Sequence, residues 1–372
     1  MHDDSCPRVS VVIPAFNAAG FLHSCLQSLQ DSDYPSIEII LMDDGSTDAT
    51  AAVAGEYGIR VTGTGRRGGG PAIGRNRGAQ LARGEYLVFI DSDVVVRPDT
   101  ISKLIAPLDE DPSVAAVFGS YDEHPRCPNV VSQFRNLLHH HVHQTARKEA
   151  SSFWSGCGAI RRTTFHEMGG FDANYGRSSI EDIELGVRLR NAGHRIILNK
   201  SAQVSHLKKW TAWSMFSSDL RDRGIPWTRL LLSGQTVPND LNLKHSQRIS
   251  VVCAFLFALL MVASAWAWRS GAALTPSAAI VAFSSALPLC LILAINWRFY
   301  AFLYKLHGWS FALASFPLHV LHYFTCGLAF AAGASLHLYD TVTQLSPFPS
   351  MEFGFPAPRH ELQTEELKAE TK

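Results

Sequence analysis

Residues 249–268 carry no acidic or basic side chain and are almost entirely apolar. A helix of this length crosses roughly 30 Å of hydrocarbon, the thickness of a bilayer core. Two later stretches, 274–295 and 311–336, are also apolar, although Pro276 and Pro288 interrupt the first of them. We predict transmembrane helices at all three positions. The alternatives are two crossings instead of three, or core helices of a soluble protein.

Basic residues near these stretches predict the orientation of the chain. Lys244 and Arg248 precede the first stretch, Arg298 and Lys305 lie between the second and third, and Arg269 alone lies between the first and second. Cytoplasmic loops carry an excess of Lys and Arg. The sequence therefore predicts a multi-pass protein of the cell inner (plasma) membrane, with the region before the first stretch in the cytoplasm.

Composition excludes several classes of function. The chain has 33 basic and 33 acidic residues, so its neutral balance does not indicate nucleic-acid binding. Its seven cysteines are scattered without a C-x-x-C pair, so neither a zinc site nor a disulfide framework is expected. The run His139, His140, His141 and His143 suggests a metal site, but no cysteine or carboxylate spacing accompanies it. A solvated or interfacial helix is the favoured interpretation of that run.

Short apolar runs alternate with helical patterns upstream of residue 249. Strands are predicted at 9–13, 37–42, 59–62, 87–90 and 115–119. Helices are predicted at 18–30, at 50–57, in a stretch after a Gly-rich link that ends at 81, and at 99–108. Residues 122–152 are typical of a variable loop-helix insertion. Strands that alternate with helices indicate an α/β fold, with a parallel sheet covered by helices on both faces.

Carboxylates follow two of the predicted strands. Asp91 and Asp93 come directly after one apolar run, and Asp43 and Asp44 come directly after another. Ligands of α/β proteins bind at the carboxyl ends of strands, where such oxygens suit Mg²⁺ or Mn²⁺ and a diphosphate held by the metal. For Asp91 and Asp93 the alternative is a solvated Asp-Ser-Asp turn. For Asp43 and Asp44 the alternative is that the hydroxyl residues that follow Asp44 cap the next helix.

Several motifs occur in a specific order along the chain: VVIPAFN, DDGSTD, GRNRGAQLARGEYLVFIDSD, GGFD and ED. In this order they resemble the family 2 glycosyltransferases of the GT-A fold, over roughly residues 8–230. The resemblance implies an α/β, Rossmann-like GT-A domain that takes a nucleotide-diphosphate sugar and a divalent metal, followed by C-terminal α-helical transmembrane segments. The predicted boundaries are 1–8 for an N-terminal extension, 9–230 for the GT-A domain, 231–248 for an interfacial linker and 337–372 for a flexible tail.

The resemblance also implies roles for individual residues at the donor end. Pro14 and Ala15 match the first nucleotide contact, Asp44 matches the residue that reads the base edge, and Arg75 falls near the nucleotide. Asp91 is expected toward the ribose and the metal, Asp93 as the firmest metal ligand, and His206 close to the metal or diphosphate. A salt bridge on a helix face is the alternative for Arg75, and a purely structural role is the alternative for His206.

Inverting transfer needs a base that deprotonates the acceptor hydroxyl as it attacks the anomeric carbon. The pair Glu181-Asp182 matches the family's ED motif, in which the aspartate is that base, and it begins a helix that ends at Gly193. Acidic residues in a first helical turn are also ordinary partners of the helix dipole. Glu184 and Arg188 are expected to form a surface i,i+4 pair.

The acceptor side is expected to include Gly156, Cys157 and Gly158 together with Glu181. Small residues there would let the backbone approach the sugar closely, and Cys157 is interpreted as a packing residue because no base is paired with it.

A last segment lies just before the first apolar stretch. Arg223 and Trp227 resemble the Q-x-x-R-W element of processive polysaccharide synthases, but the Gln is missing and Gly-Ile-Pro separates the two residues. An interfacial anchor formed by Trp210, Trp213 and Trp227 explains the same residues.

Together these features predict a membrane-anchored inverting glycosyltransferase with a lipid-linked or membrane-proximal glycan acceptor. A processive polysaccharide synthase is the alternative enzyme, and a catalytically silent nucleotide-sugar-binding scaffold or sensor is the alternative from another class. The sequence names neither the sugar nor the acceptor.

Overall fold

The computed structural model describes residues 7–65, 67–234, 241, 244–270 and 284–343. Its eight strands are Val9–Ala15 (β1), Ile37–Asp43 (β2), Val61–Gly63 (β3), Tyr86–Ile90 (β4), Val94–Val96 (β5), Val114–Tyr121 (β6), Cys157–Arg161 (β7) and Arg195–His206 (β8). They form one sheet in the order β3-β2-β1-β4-β7-β6-β8-β5. The strands predicted from sequence all exist, whereas β5, β7 and β8 were not predicted.

The sheet is mixed, where a parallel sheet was expected. Strands β1 to β4 are parallel to one another, but β7 runs antiparallel to both β4 and β6, and β5 runs antiparallel to β8. The chain enters β7 at the end of the sheet where β4 finishes. Cys157, the first residue of β7, therefore pairs with Ile90, the last residue of β4.

Helices cover both faces of the sheet, as predicted. They are Ala19–Gln30 (α1), Thr50–Glu56 (α2), Pro71–Leu81 (α3), Thr100–Glu110 (α4), Val130–Thr145 (α5), Arg162–Glu167 (α6), Glu181–Asn191 (α7), Ala212–Ser217 (α8), Ile225–Leu232 (α9), His245–Arg269 (α10), Ala286–Ile295 (α11) and Trp297–Thr343 (α12). A π-helical turn, Ser218–Gly224, joins α8 to α9. The region 122–152 contains α5, whose start is capped by the side chain of Asn129.

Strand periodicity sorts the apolar side chains into two cores. Val11 and Val88 pack in the core on one face, whereas Val12 and Phe89 pack in the core on the other. Successive residues of a strand point to opposite faces, so a strand covered on both faces must be apolar throughout. This explains why the central strands read as continuous apolar runs.

Among the described residues, two helices are long and apolar enough to cross a membrane. Helix α10 has a mean hydropathy of 2.4 over its most apolar window and contains the predicted span 249–268, and α12 reaches 1.3 and contains the predicted span 311–336. The second predicted span, 274–295, lies partly outside the described residues, and α11 covers only its end. Helix α12 is interrupted at Gly308 (φ 77°) and continues to Thr343, so residues 337–343 are helical where a flexible tail was expected.

Helix α12 also packs against the sheet domain. Phe299 and Leu303 belong to the same core as Phe134 of α5. His140 of α5 stacks on Phe302 with ring centroids 5.5 Å apart. His140 and His143 are buried and His139 and His141 are half-buried, so the histidine run lies at a helix interface, which is one of its two expected positions. In the described part of the chain, no group of three His, Cys, Asp or Glu side chains is placed to hold a metal ion.

Candidate active site

The carboxyl ends of β1, β2 and β4 meet at one edge of the sheet. Ala15 lies beside Asp43 in the pairing of β1 with β2, and Val12 lies beside Phe89 in the pairing of β1 with β4. Asp44 is the first residue after β2, and Asp91 is the first residue after β4. A cleft of about 490 Å³ opens at this edge.

The cleft brings together most of the residues predicted from the sequence. Those that line it are Pro14, Ala15, Asp44, Arg75, Asp91, Asp93, His206 and Arg223. The predicted residues that do not line it are Gly156, Cys157, Gly158, Glu181, Asp182 and Trp227. Lining residues that the sequence did not single out include Tyr121, Arg135, Asn136, Trp154 and Lys208. Part of this lining could have been found from the sequence, because Arg135 and His139 are four residues apart and therefore lie on the same face of α5.

Asp44 anchors the end that is expected to hold the nucleotide. Its backbone N–H donates to the Ala15 carbonyl at 2.9 Å. Its carboxylate accepts from the Thr64 hydroxyl at 2.7 Å and from the Gly70 N–H at 2.8 Å. Gly70 has a φ of 93°, and a β-carbon there would lie 2.8 Å from the carbonyl carbon of Gly176. A glycine is therefore required where this loop meets the opposite one.

Asp93 and His206 face each other across the cleft. His206, the last residue of β8, places Nε2 3.3 Å from Asp93 Oδ2, and its Nδ1 lies 3.1 Å from Asn136 Oδ1. Burial of Asp93 favours its neutral form, but His206 and then Lys208 outweigh it and hold the pKa of Asp93 below its usual range. The site therefore presents an ionised carboxylate beside an imidazole.

The described residues hold no group of three ligating side chains placed around a metal ion, so these donors suit a divalent metal whose coordination a bound diphosphate completes. Mg²⁺ is usually bound through one or two carboxylates and substrate phosphates, and it keeps several waters. Asp91 and Asp93 supply such carboxylates, and His206 is a nitrogen ligand that suits Mn²⁺ better than Mg²⁺.

Arg75 joins two of the predicted motifs. It is 3% exposed, and its guanidinium donates to Asp91 Oδ1 at 2.6 Å and to Glu181 Oε1 at 2.9 Å. Burial raises the pKa of Glu181, while Arg75 opposes that shift. Arg75 thus lines the cleft, as expected for a residue near the nucleotide, and it also forms a salt bridge, which was the alternative. Its two terminal nitrogens are paired with carboxylates, whereas its buried Nε has no partner among the described residues.

Asp182 lies just behind the cleft wall. Its Oδ2 accepts from the Ser155 N–H at 3.0 Å and from the Ser155 hydroxyl at 3.1 Å. Ser155 follows Trp154, which lines the cleft. The carboxylate is half-buried and is one residue away from the Glu181–Arg75 ion pair.

The glycines of the predicted acceptor segment serve internal packing. A β-carbon at Gly156 would lie 2.8 Å from the Trp154 ring, and one at Gly158 would lie 2.5 Å from the Trp154 carbonyl oxygen. The space was expected to admit a sugar, but the protein's own Trp154 fills it. Cys157 is fully buried in β7, in agreement with a packing role.

Two further sequence expectations need correction. Glu184 and Arg188 do form an i,i+4 ion pair at 2.6 Å, but both side chains are buried, and Arg188 also donates to backbone carbonyls. Of the three tryptophans expected at an interface, Trp210 is 5% exposed and lines the cleft, and Trp227 is half-buried against the core around Ile180. Trp213 alone is highly exposed, at 74%.

Sequence comparison identifies relatives of part of this chain. Residues 10–169 match the sequence model of glycosyl transferase family 2. The chain is 36% identical over 104 residues to the putative glycosyltransferase EpsH of Bacillus subtilis, which covers 27% of this chain and 30% of the relative. It is 33% identical over 122 residues to the glycosyltransferase GlyG of Streptococcus pneumoniae, which covers 31% of this chain and 40% of the relative. The aligned segments thus span about a third of these relatives.

Structural comparison extends the likeness to nearly the whole chain. The mannosyltransferase PcManGT of Pyrobaculum calidifontis, solved in complex with GDP-Man and Mn²⁺, superposes with a TM-score of 0.54 at 19% identity, covering 91% of this chain and 88% of that one. A likeness at this identity concerns the fold alone. It confirms the predicted GT-A fold with C-terminal helices.

Proposed function

We propose that this chain, which belongs to glycosyltransferase family 2, transfers a sugar from a nucleotide-diphosphate donor to an acceptor at the membrane surface, with inversion at the anomeric carbon. The observation that carries the proposal is the meeting of Asp44, Asp91 and Asp93 at one edge of the sheet, in a cleft that also holds Arg75 and His206. Three carboxylates that follow the ends of β2 and β4 and face one cleft suit a nucleotide, a metal and a diphosphate.

The donor is proposed to lie with its base toward Asp44 and its diphosphate toward Asp93. Asp93, Asp91 and His206, together with the donor diphosphate, would hold a divalent metal, Mn²⁺ or Mg²⁺, which would neutralise the charge that develops on the leaving nucleoside diphosphate. The presence of GDP-Man and Mn²⁺ in a protein of the same fold supports this arrangement. Arg75 would hold the Asp91 carboxylate in place at the cleft, because it donates to that carboxylate from a buried position.

Asp182 is proposed as the general base. In this role it accepts the proton of the acceptor hydroxyl. Because Asp182 is half-buried and held by Ser155, the acceptor hydroxyl would have to approach it at the cleft wall beside Trp154. Glu181 is proposed as a positioning residue, because its ion pair with Arg75 ties the start of α7 to the donor end.

The acceptor is proposed to be lipid-linked or membrane-proximal, with the GT-A domain on the cytoplasmic side of the inner membrane. Helices α10 and α12 support this, since both are long and apolar enough to cross a bilayer. The tight packing of α12 against α5 would hold the cleft at a fixed distance from the membrane.

The test is turnover by the purified full chain with Mn²⁺ or Mg²⁺ and a panel of UDP-, GDP- and TDP-sugars. We expect release of the nucleoside diphosphate with one donor class, and a loss of at least about a hundredfold in both Asp93→Ala and Asp182→Asn. Asp31→Asn, on the exposed end of α1, is the matched control. Equal release by wild type and both variants would refute the assigned roles, and donor binding without turnover would favour the silent scaffold.

A further inference from the structure

The half of the cleft away from Asp44 is aromatic and cationic. Its wall is formed by Tyr121, Arg135, His139, Trp154, Lys208, Trp210 and Arg223. No carboxylate belongs to this set. The donor end, by contrast, is rich in carboxylates.

Arg135 is part of this wall, but its charge is balanced by a carboxylate. Its guanidinium is buried and forms a two-pronged ion pair with Asp219, with distances of 2.6 Å to Oδ2 and 2.5 Å to Oδ1. It also lies over the ring of Trp210, at 5.4 Å from the centroid. Both of its terminal nitrogens are therefore engaged, and Arg135 serves as a rigid support for Trp210.

Lys208 and Arg223 differ from Arg135. In the part of the chain that the structure describes, neither forms an ion pair with a carboxylate. Lys208 places Nζ 4.4 Å from the Trp210 ring centroid, and Arg223 places Nη1 3.5 Å from His139 Nε2. Burial, Arg135 and Arg223 together hold the pKa of His139 well below its usual range, so this histidine is neutral and does not repel Arg223. Two cations that face a cleft without carboxylate partners suit an anionic ligand.

The donor diphosphate does not account for both cations. Lys208 follows Leu207, whose N–H donates to the Asp93 carbonyl at 2.8 Å, so Lys208 borders the metal end. Arg223 is separated from Asp93 by three rings in successive contact: His206 stacks on Tyr121 at 4.9 Å, and Tyr121 meets His139 edge-on at 5.9 Å. Arg223 is therefore available to a second ligand group.

We propose that Arg223, with Lys208, binds the phosphate of an acceptor that is a phosphate ester. This inference rests on the proposed function, since it names the acceptor of the same cleft. A phosphate ester could be a lipid phosphate or a polyol phosphate, and the chemistry of recognition is shared. The exposed Trp213 on α8, which stacks with Phe216 at 5.7 Å close to the Trp210 wall, favours the lipid.

The experiment measures ester binding to the full chain in detergent after the nucleotide site has been filled. Melting temperature is followed first with UDP or GDP and Mn²⁺, and then with added citronellyl phosphate or glycerol 3-phosphate at saturating nucleotide. Citronellol and glycerol are the neutral counterparts. A ligand that binds the folded state raises the melting temperature by mass action.

We expect one phosphate ester to raise the melting temperature further at saturating nucleotide, and its neutral counterpart to have no such effect. Arg223→Gln should weaken ester binding by about tenfold or more and leave nucleotide binding within about twofold. Arg221→Gln removes the same charge two residues away, from an exposed side chain that is paired with Asp222, and should bind the ester as wild type does. The ester that binds identifies the source of the phosphate.

Two results would overturn the inference. Competition between ester and nucleotide would assign both cations to the donor diphosphate, and equal binding of the neutral counterpart would show that the phosphate is not recognised. Failure of every nucleotide to bind in the first step would instead count against the proposed function, and ester binding would still be measurable without nucleotide.

Discussion

Asp219, in the π-helical turn, accepts a hydrogen bond from Nδ1 of His322 in α12 at 2.9 Å. The same carboxylate holds Arg135, which lines the cleft. One buried aspartate therefore connects the C-terminal helix to the cleft wall. π-Helical turns often occur at functional sites, and here the turn directs Asp219 toward two partners from different helices.

Replacing Asp219 by Asn should destabilise the protein strongly. Arg135 would be left as a buried, unpaired cation, and breaking a buried ion pair from one side costs about 3–5 kcal/mol. Asp340→Asn is the matched control, because Asp340 pairs with Arg229 at 2.6 Å and joins α12 to α9, but at a more exposed position. The control should cost about 1 kcal/mol or less. Thermal unfolding in detergent measures both, and equal losses would contradict the central place given to Asp219.

Arg75→Lys should impair the site although the charge is kept. A lysine ammonium is a point charge and cannot donate along two fixed directions to Asp91 and Glu181, as the guanidinium does. We expect kcat/KM to fall by about tenfold to a hundredfold, a loss of about 1.4–2.7 kcal/mol in transition-state stabilisation.

Arg77→Lys, at an exposed position of the same helix, is the control and should leave kcat/KM within about twofold. The comparison uses steady-state kinetics with the donor that the panel identifies. A fully active Arg75→Lys enzyme would show that the pairing of the two motifs through Arg75 is dispensable.

Part of this site could be predicted from the sequence because it depends only on which residues directly follow the apolar strands. The apolar runs fix the central strands, so Asp44 and Asp91 had to emerge at the same edge. The partners of Arg75 were out of reach, since Glu181 lies 106 residues further along the chain and only β7 and α7 bring it near. Trp210 was misjudged for a similar reason: a tryptophan near an apolar stretch suits a membrane interface, but Arg135 and Lys208 draw its ring into the cleft wall.

Acidification below pH 6.5 should destabilise the folded protein through His143. Its ring packs between Phe118 and Trp154, and burial, followed by the nearby His140, lowers its pKa to about 4. Above about pH 6.5 the histidine is neutral in both states and has no effect on stability. Between pH 6.5 and 4 the unfolded chain binds a proton that the folded chain does not, so stability falls by about 1.4 kcal/mol per pH unit from this residue.

The measurement is the free energy of unfolding, or the melting temperature, at pH 7.5, 6.5, 5.5 and 4.5. His143→Leu should reduce the slope below pH 6.5 by the contribution of one proton, whereas His124→Gln, at an exposed position, should not change it. A slope unaffected by His143→Leu would mean that this histidine is protonated in the folded state.

Gly158→Ala should destabilise the protein and disturb the cleft together. A β-carbon at this position would lie 2.5 Å from the Trp154 carbonyl oxygen and 2.6 Å from the Phe153 ring, closer than real side chains approach. Either the strand β7 or the segment before it must shift, and overpacking of this kind costs about 1–3 kcal/mol. Because Trp154 lines the cleft and Ser155 holds Asp182, the same shift should lower kcat.

Gly55→Ala is the control that separates packing from backbone freedom. Gly55 lies inside α2, and a β-carbon there would meet nothing within 4 Å. The alanine should therefore be neutral or stabilise the protein by up to about 1 kcal/mol, since it restricts the unfolded chain and favours the helix. Thermal unfolding and turnover of both variants test the assignment. If Gly158→Ala matched the control in stability and rate, the glycine would instead leave room for a ligand that approaches the backbone, as the sequence first suggested.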